Sequence, residues 1–183
     1  IIWFRRDLRI EDHRGFYNAL NSDVKILPLY IQEESLIQSP EYSTRHWTFI
    51  KQSLIDMDNS LAPLNTQVMA CRGEALMIFK RLMRHFNIKS VYCYEELGID
   101  LVHRRDQIVK RYFKNNGVNY HVYPRNGLRN WPKHMNSSIL KYELHADAFI
   151  SKSKIDALYL QFPPMNLYHE VSGEFQKGGR QAA

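Results

Sequence analysis

Five short apolar runs, each followed by a stretch of helical periodicity, constrain this chain more than any other feature. The runs are "IIWF" (1–4), "VKILPLYI" (24–31), "TQVMACR" (66–72), "IKSVYCY" (88–94) and "NYHVYP" (119–124). Between them, Trp47, Ile50, Leu54, Met57 and Leu61 recur at spacings of three and four, which is one face of a helix. Ser43 or Thr44 can cap that helix and Pro63 ends it. "EDHRGFYNALN" predicts a shorter helix with Asp12 as its N-cap. "GEALMIFKRLMRHF" predicts a helix burying Leu76, Phe79, Leu82, Met83 and Phe86. "DLVHRRDQIVKRYFKNNG" predicts another, with Ile108, Val109, Tyr112 and Phe113 inward and Gly117 as its stop. Pro28 fits poorly inside a central ladder, where its missing donor would be felt.

Strands that alternate with helices close into right-handed βαβ units around a parallel sheet covered on both faces. The expected fold is therefore α/β: a five-stranded parallel sheet in a Rossmann-like or flavodoxin-like three-layer α/β/α sandwich, strand order 3-2-1-4-5. Ligands in such sheets bind at the carboxyl ends of the two strands where the connections diverge to opposite faces. In that order these are the first and fourth strands, whose ends carry "RRD" and "YEELGID".

After Pro124 the alternation fades into prolines, serines and scattered aromatics. Residues 1–125 are expected to form the α/β domain, and 126–183 a linker toward a second domain. Trp131, Tyr159, Phe162 and Tyr168 would either meet that domain or pack back on this one. The first residue is not methionine, and "GGRQAA" at the end reads as the start of a helix, so a trimmed chain is expected.

No apolar run approaches the ~18 residues a membrane span needs. Cys71 and Cys93 stand in or beside strands without the spacing of a metal site or a disulfide framework, so reduced core thiols in a cytoplasmic protein are expected. The eight histidines are scattered, and no metal centre is expected. A net charge of +6 permits a polyanionic partner, but "KRLMRH" and "HRRDQIVKRYFKNN" read as helices whose charged faces meet water. There is no G-x-G-x-x-G after the first strand and no G-x-x-x-x-G-K-[ST], which removes the dinucleotide fingerprint and the phosphate loop. G-x-S-x-G and H-E-x-x-H are also missing, and no catalytic constellation emerges.

What remains is the pair of loops at the crevice. Arg6 and Asp7 could brace the turn or meet a ligand. Asp100 could offset a helix dipole or bind. Glu95 and Glu96 are adjacent carboxylates at a strand end, suited to the N–H donors of a nitrogen-rich planar ring and unsuited to a phosphate.

These residues carry a resemblance. "WFRRDLRIEDHRGF" is similar to the amino-terminal signature of the photolyase/cryptochrome family, an apolar strand, then F-R-x-D-L-R, then an Asp-led helix. "ILPLYI", "STRHWTFIKQSLIDMDNSL", "CRGEALMIFKRL" and "YEELGIDLVHRRDQIVKRYFKNNGV" resemble later segments in order, and "GGRQAA" resembles the start of the flavin domain. The resemblance spans essentially the whole chain. It implies the amino-terminal, light-harvesting domain of a DNA photolyase, with FAD, the repair of ultraviolet pyrimidine photoproducts in DNA and all catalytic residues in a carboxyl-terminal domain beyond residue 183. A cryptochrome-type light receptor is the alternative, and a stand-alone nucleotide-binding module a distant one. The resemblance further implies an antenna chromophore, methenyltetrahydrofolate or a deazaflavin, near Arg6, Asp7, the segment from Tyr30 to Glu33, Arg45, Tyr94, Glu95, Glu96 and Asp100. The partners it implies are damaged DNA and the protein's own FAD domain, in a monomer.

Overall fold

The computed structural model describes residues 1–40, 42–96, 98, 100–124 and 140–167. Strands β1 (Ile2–Phe4), β2 (Pro28–Gln32), β3 (Met69–Arg72), β4 (Ser90–Tyr94) and β5 (Asn119–Tyr123) form one parallel sheet in the order β3-β2-β1-β4-β5. Pro28 is the first residue of β2, where the ladder needs no donor from it.

Side chains alternate across the strands and build two cores. On one side Trp3, Leu29, Ile31, Cys71 and Cys93 meet Phe79 and Leu82 of α4 (Ala75–His85) and Val109 and Phe113 of α5 (Asp100–Asn115). On the other, Ile2, Phe4, Tyr30 and Ala70 meet Phe16 of α1 (Arg14–Leu20) and Leu54, Met57 and Leu61 of α3 (Thr44–Leu61). A further short helix, α2 (Glu34–Ile37), follows β2 and escapes the periodicity argument because it has a single turn.

Several local expectations change. The N-cap of α1 is His13, whose imidazole accepts from the Phe16 N–H, and not Asp12. Asp12 instead turns the chain with a left-handed φ of 47° and accepts from the Leu140 N–H. Ser43 caps α3 in a reciprocal arrangement with His46. Ile108 is exposed; the inward face of α5 runs through Val102, Asp106, Val109 and Phe113, one step round the helix. Leu76, Met83 and Phe86 only flank the core, while Ala75 and Ile78 fill it.

Residues 140–167 lie against the sheet. Phe149 pairs across to Ile26, and Ile155 and Leu158 of α6 (Lys152–Leu158) enter the core with Phe162 and Met165. Tyr159 is partly buried and receives the Ala70 N–H on its hydroxyl. Of the aromatics placed beyond Pro124, Tyr159 and Phe162 therefore pack back onto this domain; Trp131, Tyr168 and the "GGRQAA" end lie outside the described residues. No helix among the described residues is long and apolar enough to cross a membrane.

Candidate functional site

The three residues after β1 bend away from the strand and leave in different directions. Arg5 turns into the α4/α5 side of the sheet and is buried over the face of Trp3, its guanidinium carbon 4.2 Å from the ring centroid. It donates to Asp106 Oδ2 (2.8 Å), Tyr120 Oη (2.6 Å) and Cys93 Sγ (3.3 Å), tying β1 to β4, β5 and α5. Asp7 turns the other way. Its Oδ1 accepts the Arg5 N–H, and its Oδ2 accepts from His13 Nε2 at 2.9 Å. Because His13 Nδ1 already accepts from Phe16, the tautomer is fixed with the proton on Nε2. Burial works against the Asp7 charge, but His13 together with the backbone N–H donors outweighs it and lowers the pKa.

Arg6 alone stays open to solvent, its side chain 42% exposed. Its Nε donates to Glu96 Oε1 at 3.0 Å and its Nη2 to the Tyr42 hydroxyl at 2.9 Å, and that hydroxyl in turn donates to Glu96 Oε1. The second oxygen of Glu96 accepts from Arg105 Nη2 at 2.8 Å. Arg105 also donates to Glu33 Oε1 and Asp106 Oδ1 and lies over the Trp3 ring, its guanidinium carbon 5.1 Å from the centroid. Three guanidinium groups and three carboxylates thus form one largely buried network. Burial opposes the charge on Glu96, yet Arg105, with Arg5 and Arg6, outweighs it and holds the carboxyl below the usual range. At Glu33 burial wins, only partly offset by Arg105, and the pKa is raised.

The expected site residues divide accordingly. Arg6, Glu33 and Glu96 come together through Arg105 and Tyr42. Asp7 and Tyr94 meet at His13 instead, Tyr94 edge-on to its ring and accepting the Arg14 N–H. Glu95 follows β4, its backbone N–H bonded to Tyr123 O, and Asp100 is exposed in the first turn of α5. Arg45 stands apart from the network, on the rim of a cleft of about 570 Å³ lined by Arg6, Tyr42, His46, Phe49 and Ile50. The crevice proper, over Trp3, Tyr30 and Glu33, is filled: Tyr42, stacked on Trp47 with centroids 5.2 Å apart, and the ion network leave only about 20 Å³. That is room for roughly one water.

Sequence reasoning missed Arg5, Tyr42, Asp106 and above all Arg105. A signal existed for the last two. Positions 102, 105, 106, 109 and 113 fall on one helix face, so a reader placing Val102, Val109 and Phe113 inward must place the intervening Arg–Asp pair inward too. Tyr42 carried no signal, since it sits in a loop.

Comparison with known proteins adds relationships to this geometry. The family model described as DNA photolyase matches residues 1–161. Cryptochrome-2 of Gallus gallus is 31% identical over 119 residues, covering 63% of this chain and 20% of that protein. Among solved structures, an archaeal photolyase from Sulfolobus tokodaii with two FAD molecules superposes with a TM-score of 0.60 at 26% identity, covering 67% of this chain and 28% of that one. A Synechocystis sp. PCC6803 cryptochrome superposes with a TM-score of 0.60 at 20% identity over 67% of this chain and 26% of its own, a likeness of fold alone. The chain spans between about a fifth and a little over a quarter of these relatives.

Proposed function

Since the chain belongs to the DNA photolyase family, we propose that it is the light-harvesting domain of a larger flavoprotein that repairs ultraviolet pyrimidine photoproducts in DNA. FAD, the lesion pocket and the catalytic groups belong, in this reading, to a carboxyl-terminal domain, and residues 1–183 are not catalytic by themselves. The observation that carries the antenna role is the amphipathic cleft at the carboxyl end of the sheet. Tyr42, Phe49 and Ile50 offer apolar surface for a planar ring, and Arg6 and Arg45 offer cations at its rim.

The fit of a chromophore follows from which groups are already engaged. Both oxygens of Glu96 hold partners from the protein, so a ring rich in N–H donors would have to displace Tyr42 or Arg6 to claim them. Arg6 and Arg45 favour instead an anionic arm, as on a deazaflavin, a flavin nucleotide or the glutamate tail of a folate. Such a group would supply light absorption. The chain's own residues would bind the ring and screen one side of it from water. Two buried free thiols suit a reducing, cytoplasmic setting.

A visible-absorption titration of the chain with methenyltetrahydrofolate, a deazaflavin, FMN and FAD tests this. Saturable binding of one dye, weakened at least 10-fold by Arg45→Glu, is expected. Failure of every dye to bind this chain and also the full-length protein would end the antenna reading. The cryptochrome-type alternative is favoured by relatives such as the Gallus gallus protein. Illumination of the full-length protein with damaged DNA separates the two, because a receptor without repair activity leaves the lesion intact.

A further inference from the structure

The two sequence clusters expected to be ordinary solvated faces lie on neighbouring helices. α4 and α5 pack side by side, with Phe79 edge-on to Phe113 (4.8 Å between centroids) and the Lys80 ammonium 5.7 Å from the Tyr112 ring centroid. Lys80, Arg81 and Arg84 are exposed on α4; Arg104, Lys110, Arg111 and Lys114 are exposed on α5. α4 contains no carboxylate at all. Those of α5 are Asp100, at its first residue, and Asp106, turned inward onto Arg5 and Arg105.

A helix face that merely meets water mixes signs and gains from i,i+4 pairs of opposite charge. Here Lys80–Arg84 and Lys110–Lys114 are i,i+4 pairs of like charge, an arrangement that disfavours each helix by itself. Arg84, Arg104, Lys110, Arg111 and Lys114 form no salt bridge among the described residues. Without the seven exposed cations the chain's 25 lysines and arginines fall to 18, against 19 aspartates and glutamates. The seven exposed cations on this face thus exceed in number the chain's net charge of +6.

We propose that the outer face of α4 and α5 is a docking surface for the phosphodiester backbone of duplex nucleic acid, independent of base sequence and of damage. Seven cations on two adjacent helices match the regular negative charge of a duplex, and the release of its counterions drives association. A membrane is the poorer partner. An interfacial helix buries a bulky apolar face in the lipid, whereas the apolar faces of α4 and α5 are spent on Phe79, Leu82, Val109 and Phe113 inside the core. The outward apolar groups, Met77, Leu101 and Ile108, are each at most about half exposed (50%, 37% and 49%) and stand among the cations.

The test is fluorescence anisotropy of an undamaged, labelled 20-base-pair duplex titrated in the dark with the 183-residue chain, at several salt concentrations. Because neither light, lesion nor chromophore is involved, its outcome is separate from that of the antenna reading. Binding that weakens about 50-fold between 50 and 200 mM salt is expected, the slope for roughly three phosphate contacts. Lys80→Glu/Arg84→Glu should weaken binding at least 10-fold at 50 mM salt and flatten the salt dependence, and Lys110→Gln/Lys114→Gln should act in the same direction. Lys51→Glu/Lys141→Glu, on α3 and beside α1 across the sheet from α4 and α5, should leave binding within about twofold. Absence of binding at 50 mM salt, equal losses from the control pair, or binding to phosphatidylserine vesicles without binding to the duplex would each overturn the proposal.

Discussion

Replacing Arg105 by Met probes the ion network where it is most closed. The carboxylates of Glu33 and Glu96 have side chains only 3% and 4% exposed, and Arg105 bridges them from a side chain 10% exposed. Met keeps most of the length of the arginine stem, so packing over Trp3 largely survives while the charge goes. Glu96 retains Arg6 and Tyr42. Glu33 keeps a single long bond from the Ala75 N–H and no ion-pair partner among the described residues. Removing one member of a buried pair costs about 3–5 kcal/mol, which for a domain of this size lowers Tm by roughly 6–20 °C. The pH dependence carries the mechanism. The Glu33 pKa is already raised above its ordinary 4.5 and rises further without Arg105. A carboxyl raised in the folded state contributes stability below its unfolded pKa that is lost as pH climbs through the folded one. The deficit of Arg105→Met should therefore be larger at pH 7 than at pH 5, by urea unfolding followed by circular dichroism. Adding Glu33→Gln should recover about 1–3 kcal/mol at pH 7. A variant within about 1 kcal/mol of the parent at both pH values would refute the reasoning.

Asp58, which accepts the Val68 N–H at 2.7 Å, has its pKa pushed by burial from 3.8 to about 6. Its ionisation thus removes about 3 kcal/mol of stability as pH rises from 4 through 6, and Asp58→Asn, which keeps the acceptor, should flatten that part of the stability–pH curve. Phe162→Ala should cost about 3–5 kcal/mol, because the ring is fully buried in the α4/α5 core; a loss under about 1 kcal/mol would return residues 140–167 to the role of a mere linker. Gly73 has φ +136° and a would-be Cβ only 3.3 Å from Ile78 Cδ1, so Gly73→Ala should destabilise by about 1–3 kcal/mol in the same unfolding assay. Burial pushes the Cys71 thiol up to about 12 and Cys93 to about 11; neither should react with Ellman's reagent at pH 8 until urea unfolds the chain.

The sheet was legible because β1 to β4 bury both faces and so read as apolar runs bounded by turn residues, while the more exposed edge strand β5 is marked by its aromatic and β-branched residues. Its order followed from the chirality of βαβ crossovers together with short connections. The packing of residues 140–167 was not legible. Ile155, Leu158, Phe162 and Met165 do recur at spacings of three and four, but Pro163 and Pro164 cut that pattern short and Phe149 stands outside it, although each is buried. At the site, Arg6 and Glu96 could be named because strand ends of this fold leave a crevice there. Their direct bond, flanked by Tyr42 from a loop, could not, since local sequence does not determine the paths of the loops that bring them together. Arg105 and Asp106 were hidden by habit more than by physics: charged residues on a helix are read as solvated, and the helical phase that contradicts this takes three flanking apolar positions to see.

The balance of three guanidinium groups against three carboxylates has a consequence for how this domain can diverge. Loss of Arg105, Glu96 or Asp106 strands Glu33, Arg6 or Arg5, respectively, without a partner among the six. Sequences descending from this one should therefore change these residues in compensating pairs, such as Glu33 with Arg105 or Asp106 with Arg5. The network acts as a ratchet on variation: easy to keep and hard to leave by single steps, and once an apolar set has replaced it, equally hard to rebuild.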